Sequence, residues 1–167
     1  FNRTELERSE ALQAGGSAII TTNELTPICT SRGSDPAGLG RWVWTRLEGS
    51  DGFHTRLVSA YRPCIPSSQG SGTVWEQHRR FFGEIDRDPR QALLDDLKVE
   101  IVAWQLTGDV IVLGMDANED VRSRKLKTYF DDRQMKNVIL DRHNYLSPPA
   151  THTPTPKREP NHRNSVN

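Results

Sequence analysis

Apolar positions along the chain fall into two kinds of pattern, and together they lay out most of its elements. Between Asp88 and Gly108, Leu93, Leu94, Leu97, Ile101 and Trp104 recur at threes and fours, the spacing of one face of an α-helix. Asp88-Pro89 gives that helix an N-cap and a proline suited to its first position, and Gly108 ends it. A helix is also predicted from Val74 to Phe82, where Trp75, His78, Phe81 and Phe82 have helix-like spacing after a polar loop from Ser67 to Gly72. Directly after the long helix, Val110-Ile111-Val112-Leu113 is a continuous apolar run. Such a run predicts a strand buried on both faces, here opening into Gly114-Met115-Asp116-Ala117-Asn118-Glu119-Asp120.

Shorter β-favouring runs complete the order. Ser17 to Thr22, after Gly15-Gly16, reads as a strand, and Ser31 to Gly40, rich in Gly, Ser and Pro, as a loop. Arg41 to Leu47 and Thr55 to Tyr61 form an antiparallel pair across Ser50-Asp51-Gly52. Beyond the apolar run come a short helix from about Ser123 to Phe130, a weak strand at Asn137 to Leu140, and a Pro-rich stretch from Ser147 to Pro160. Hairpin strands, two helices and a central buried strand predict an α/β fold, a layered sandwich rather than a purely parallel wound sheet.

Composition narrows the class without changing this picture. The 167 residues suit one domain. With 34% hydrophobic and 26% charged residues, the chain reads as globular rather than disordered or membrane-embedded, and no apolar run nears the roughly 18 residues of a membrane span. Lys and Arg total 22 against 22 Asp and Glu. That neutrality does not exclude nucleic acid, since a phosphate-binding face needs only a local basic cluster. Cys29 and Cys64 show no zinc-site spacing and fit a reducing, intracellular compartment, nuclear or cytoplasmic, although one bridge between them stays open. The start at Phe1 and the end at Asn167 both read as cuts.

The chemistry concentrates at strand ends, where ligands of α/β sheets gather. Asp116 and Asn118, at i and i+2, share a face in extended backbone. A carboxylate there can activate water or hold a hard cation, and an amide can donate to a phosphate oxygen without adding negative charge. Taken alone, a capping and turn role for the pair is the commoner reading. In Ser59-Ala60-Tyr61-Arg62-Pro63 a phenol and a guanidinium could both donate to a phosphate, or Tyr61 could be buried with Arg62 exposed. The five histidines, His54, His78, His143, His152 and His162, are scattered and single out no general base.

In their order, these segments resemble the endonuclease/exonuclease/phosphatase superfamily, the DNase I-like fold. Gly15-Gly16-Ser17-Ala18-Ile19-Ile20 is similar to that family's Gly-Gly-x-Ala-Ile strand, and Ser59 to Pro63 to its Tyr-containing strand end. Gly114-Met115-Asp116-Ala117-Asn118-Glu119 resembles its Gly-Asp-x-Asn motif with Met115 inserted, and Pro149-Ala150-Thr151-His152 its Thr-containing segment. Gly38-Leu39-Gly40-Arg41-Trp42 and Tyr61-Arg62-Pro63-Cys64 look closest to endonuclease domains linked to reverse transcriptases in mobile elements, non-LTR retrotransposons among them. The resemblance implies two mixed β-sheets flanked by helices, with residues 1–167 a partial domain lacking the Glu-bearing strands upstream and the Ser-Asp-His segment downstream. Asn167 falls at or just before an expected Asp.

It also implies Mg²⁺- or Mn²⁺-dependent hydrolysis of a phosphodiester. Tyr61, Asp116 and Asn118 would be catalytic, Asp116 and Asn118 would hold the metal, and Arg62, Thr151 and His152 would bind substrate. DNA is the expected partner, with a reverse transcriptase domain in the same polypeptide or element, and no membrane is involved. Arg122, Arg124, Lys125 and Lys127, with Lys157, Arg158, His162 and Arg163, would suit backbone phosphates. A phosphatase acting on a small ester or lipid headgroup, and a non-catalytic binding module, are the alternatives. The fragment alone is expected to be inactive or nearly so.

Overall fold

A computed structural model of the protein describes residues 16–66, 72–83 and 86–142. The chain divides into two compact units, Phe1–Gln134 and Met135–Asn167. In the first, strands β1 (Cys29–Ser34), β2 (Trp42–Glu48) and β3 (His54–Tyr61) are followed by helices α1 (Val74–Phe82) and α2 (Pro89–Leu106), strand β4 (Val110–Asp116) and helix α3 (Arg124–Asp131). The class is α/β, with one four-stranded mixed sheet of order β1-β2-β3-β4 among the described residues. The first three strands are antiparallel neighbours, and β4 runs parallel to β3, which the α1–α2 crossover between them allows. No helix among the described residues is long and apolar enough to cross a membrane.

Register sorts the strands into two faces. Gly33, Trp44, Val58 and Leu113 are successive partners across the sheet, and α2 covers this face, its Trp104 ring centred 5.8 Å from that of Trp44. The helix packs through Leu93, Leu94, Leu97 and Ile101, all essentially buried, and these are the residues whose period predicted it. Asp88 caps it as expected, accepting from the Gln91 N–H at 2.7 Å, with Pro89 in its first turn. A β-carbon on Gly33 would meet the Trp44 indole at 2.5 Å, so a bare backbone there lets β1 lie flat against that ring. The opposite face carries Val43, Leu57, Tyr61, Val112 and Asp116.

Several elements depart from the sequence expectations. From Ser17 to Thr22 only Ser17 makes a bridge, and its hydroxyl donates to Gly40 O at 3.4 Å; the rest of the run is not a strand. The Gly- and Ser-rich segment read as a loop instead supplies most of β1, because pairing with β2 rather than composition decides it. β4 is not buried on both faces. It pairs with β3 alone among the described residues, its side chains alternate in exposure, and Val110 and Val112 are 55% and 52% exposed. In the second unit, the weak strand at Asn137 to Leu140 is helix α4 (Val138–Arg142), because the Asn137 side chain accepts from the Leu140 N–H at 3.0 Å, as an N-cap does. The long loop Ser67 to Gly72 and the Pro-rich stretch from Ser147 fall wholly or mostly outside the described residues.

His78 of α1 is 1% exposed, and its Nε2–H donates to Leu39 O at 3.2 Å, beside a small core of Leu39, Phe82 and Ala92. Nδ1 has no partner among the described residues, which suits a neutral ring. Burial, then the nearby Arg41 charge, lowers its pKa from 6.5 to about 4. The unfolded chain therefore gains a proton below pH 6.5 that the folded chain refuses. The contribution of His78 to stability is constant above that pH and falls by up to about 3 kcal/mol as pH drops from 6.5 toward 4. His78→Gln should flatten this limb in melts recorded between pH 7 and 4.5; an unchanged limb would assign it to other groups.

Candidate functional site

The parallel pairing of β3 and β4 brings their C-terminal ends together. Tyr61 and Asp116 are partners in the register, and the Arg62 N–H donates to Asp116 O at 2.9 Å as the strands part. Their side chains stand on the same face, the one α2 leaves open. Asp116 is exposed. One of its oxygens accepts the Asn118 N–H at 3.2 Å, closing a turn in which Asn118 has φ 46°. The Asn118 amide then donates to Arg62 O at 2.7 Å, stitching the loop after β4 to the loop after β3. Asn118 is both a turn residue and a bridge between the two loops.

The Tyr61 hydroxyl lies 3.8 Å from the Cys64 sulfur. Partial burial raises the phenol's pKa, helped by Cys64 and the Asp116 charge and opposed by a hydrogen bond from Asn118. Tyr61, Cys64, Asp116 and Asn118 thus form one group at the strand ends. The phenol stays protonated at neutral pH and can donate.

Arg62 corrects the expectation that it contacts substrate. It is 1% exposed, and its guanidinium turns beneath the strand ends to donate to Glu119 and to Ala117 O, the latter at 3.4 Å. Arg90, in the first turn of α2, joins the same carboxylate at 2.8 Å. Ser123, the N-cap of α3, donates to the other Glu119 oxygen at 2.7 Å. Burial alone would raise the Glu119 pKa, but Arg62, Ser123 and Arg90 outweigh it and hold the pKa at about 2. Thr151 and His152 lie outside the described residues.

Arg90 and Glu119 escaped the sequence reading as site residues. One signal was present: a cation in the first turn opposes the helix dipole, and α2 has no acid there. Such a misplaced charge needs a partner elsewhere.

No group of three or more His, Cys, Asp and Glu gathers among the described residues. Asp116 leaves one oxygen without a hydrogen bond among those residues, and Asn118 adds an amide oxygen. Hard oxygen donors of this kind fit Mg²⁺, which takes one or two carboxylates and fills its shell with waters and substrate phosphate. Past the loop, Arg124, Lys125 and Lys127 of α3 are exposed, while Arg122 is paired with Asp120 at 2.8 Å.

No family model matches the chain, and no curated protein matches it. Among solved structures, a beta hairpin deletion mutant of beta toxin from Staphylococcus aureus is similar at 14% identity and a TM-score of 0.34 over 59% of this chain. The match spans 31% of that protein, a likeness too slight to carry argument.

Glu119→Gln keeps the size of the side chain and removes the one anion shared by two buried guanidiniums. It should cost roughly 2–3 kcal/mol in urea denaturation, toward the lower end for a broken buried pair because Glu119 is 27% exposed. A loss below about 0.5 kcal/mol would mean that the cluster is solvated like a surface pair.

Proposed function

We propose that this chain is part of a divalent-metal phosphodiesterase of the endonuclease/exonuclease/phosphatase kind, acting on DNA. The observation that carries the reading is the pairing of Tyr61 with Asp116 at the ends of parallel strands, bridged by Asn118. A phenol donor, an exposed carboxylate and an amide within one loop pair are some of the groups in-line hydrolysis of a phosphodiester uses.

In this reading Asp116 orients an attacking water and takes its proton as the oxygen–phosphorus bond forms. Tyr61 donates a hydrogen bond to a non-bridging phosphate oxygen, where negative charge grows. Asn118 spends one amide proton on Arg62 O and holds the loop geometry, and its amide oxygen would be available to a metal. Mg²⁺, when bound, would neutralise charge on the phosphate and on the leaving oxygen. The exposed cations of α3 follow the site in sequence and suit backbone phosphates on either side of it. They favour a polymeric substrate over a small phosphate ester.

The same proposal extends the fold. The β4 side of that face, with Val110 and Val112 about half exposed, suits the inner layer of a two-sheet sandwich, with a second sheet packed on it. Residues supplied from that layer would complete the metal shell and protonate the leaving group, so the chain alone should turn over little or no substrate.

The test is Mg²⁺-dependent nicking of a supercoiled plasmid by the full polypeptide that carries this chain. Asp116→Ala should lower the rate roughly 10²–10⁴-fold, as loss of a general base does, and Tyr61→Phe less. Lys127→Ala should leave turnover at low salt intact and flatten the salt dependence of duplex binding by about one unit of slope. Absence of nicking, or nicking that survives Asp116→Ala, overturns the reading.

A further inference from the structure

Arg90 reaches both loops of the candidate site without facing substrate. Its side chain is 7% exposed. One terminal nitrogen donates to Pro63 O at 2.8 Å and Asn118 O at 3.2 Å, the other to Ala117 O at 3.5 Å and the Glu119 carboxylate at 2.8 Å. Pro63 is two residues beyond Tyr61, and Ala117 and Asn118 directly follow Asp116. Arg62 closes the arrangement from the other side, its Nε donating to Arg90 O at 3.4 Å.

We infer that Arg90 is a positioning residue for the Tyr61–Asp116–Asn118 site, setting the separation of the two strand-end loops from beneath by binding their main-chain carbonyls. The inference rests on the functional reading above for what the site does, but its geometry stands apart from that reading. Three features support a role beyond packing. The acceptors are carbonyls of the residues that fix where Tyr61 and Asp116 point. Asn118 holds left-handed backbone at φ 46°, which an asparagine in a turn adopts readily, and Arg90 binds the carbonyl that this backbone turns toward α2. The cluster also sets two guanidiniums against one carboxylate, leaving an excess positive charge under the place where a phosphate would sit. Only a planar fork can bind several divergent oxygens at once; a lysine ammonium is a single point donor on a flexible stem.

The experiment reads the two loops through their amide protons. The Arg62 N–H donates to Asp116 O at 2.9 Å and the Asn118 N–H to the Asp116 carboxylate at 3.2 Å, so their hydrogen exchange, followed by NMR in the folded chain, reports whether the loops keep their places. In Arg90→Met both should exchange roughly tenfold faster while amides in the middle of α2 keep their protection. Arg46→Gln, which weakens the separate Asp109 cluster, should destabilise the chain without singling out these two amides. Should Arg90→Met fail to fold, Arg90→Lys replaces it, with the same acceleration expected.

Unchanged exchange of the Arg62 and Asn118 amides in a folded Arg90 variant overturns the inference, as does equal acceleration in Arg46→Gln. In the full polypeptide, Arg90→Lys should lower kcat by roughly 10²-fold with KM little changed, as for a small misplacement of reacting groups. If the wild-type polypeptide does not nick DNA, the functional reading fails by itself, and the amide exchange still decides whether Arg90 sets the loops.

Discussion

Helix α2 is fastened to the sheet by buried guanidinium–carboxylate junctions, and the rest of the structure depends on where they place it. Near the middle of the helix, Arg41, just before β2, pairs with Asp35 at 2.6 Å and with Asp96 of α2 at 2.7 Å. At its C-terminal end, Asp109, just past the helix, takes Arg46 of β2 at 2.9 Å and Arg56 of β3 at 2.6 Å. The third junction is Arg62 and Arg90 on Glu119. Taking such charges out of water costs several kcal/mol per ion, so junctions like these add little net stability. The drive to fold comes from the buried Leu93, Leu94, Leu97 and Ile101 against the sheet. What the arginines add is registry, because a sliding helix would strand buried charge. Arg56 shows the constraint at its tightest: its guanidinium lies 4.1 Å from the Trp44 ring centre and 4.9 Å from that of Trp104 while donating to Asp109.

This division of labour explains what could be read from the sequence. Apolar period and caps are local, and they gave α2, α1 and the β2–β3 hairpin within a residue or two at most boundaries. Partners are not local. β1 is built from Thr, Ser, Arg and Gly and is a strand because β2 lies beside it; Gly33 marks a strand only once Trp44 is known to cross it. The apolar run of β4 signalled a strand correctly but pointed to burial on both faces, whereas among the described residues β4 pairs with β3 alone. At the candidate site, the position of Tyr61, Asp116 and Asn118 at or just past strand ends was legible from the β runs that precede them. The direction of Arg62 was not, since a guanidinium after a strand can turn either way and Glu119 lies 57 residues on. The fold class came from local signals, and the supports of the site came from contacts between distant segments.

The two sets of cations near the site act by different physics. Arg124, Lys125 and Lys127 are exposed, so any pull they exert on an anion is steering that falls with ionic strength over a Debye length of about 8–10 Å. Arg62 and Arg90 are enclosed, and salt screens them far less. The buried pair can therefore fix geometry and bias the strand ends toward an anion at any ionic strength, while on the proposed reading the exposed set would govern how fast and how firmly a long polyanion arrives. On that same reading the bias would serve Asp116. A lone carboxylate repels a phosphate placed beside it, and excess positive charge in the layer below would offset part of that repulsion without occupying the exposed face.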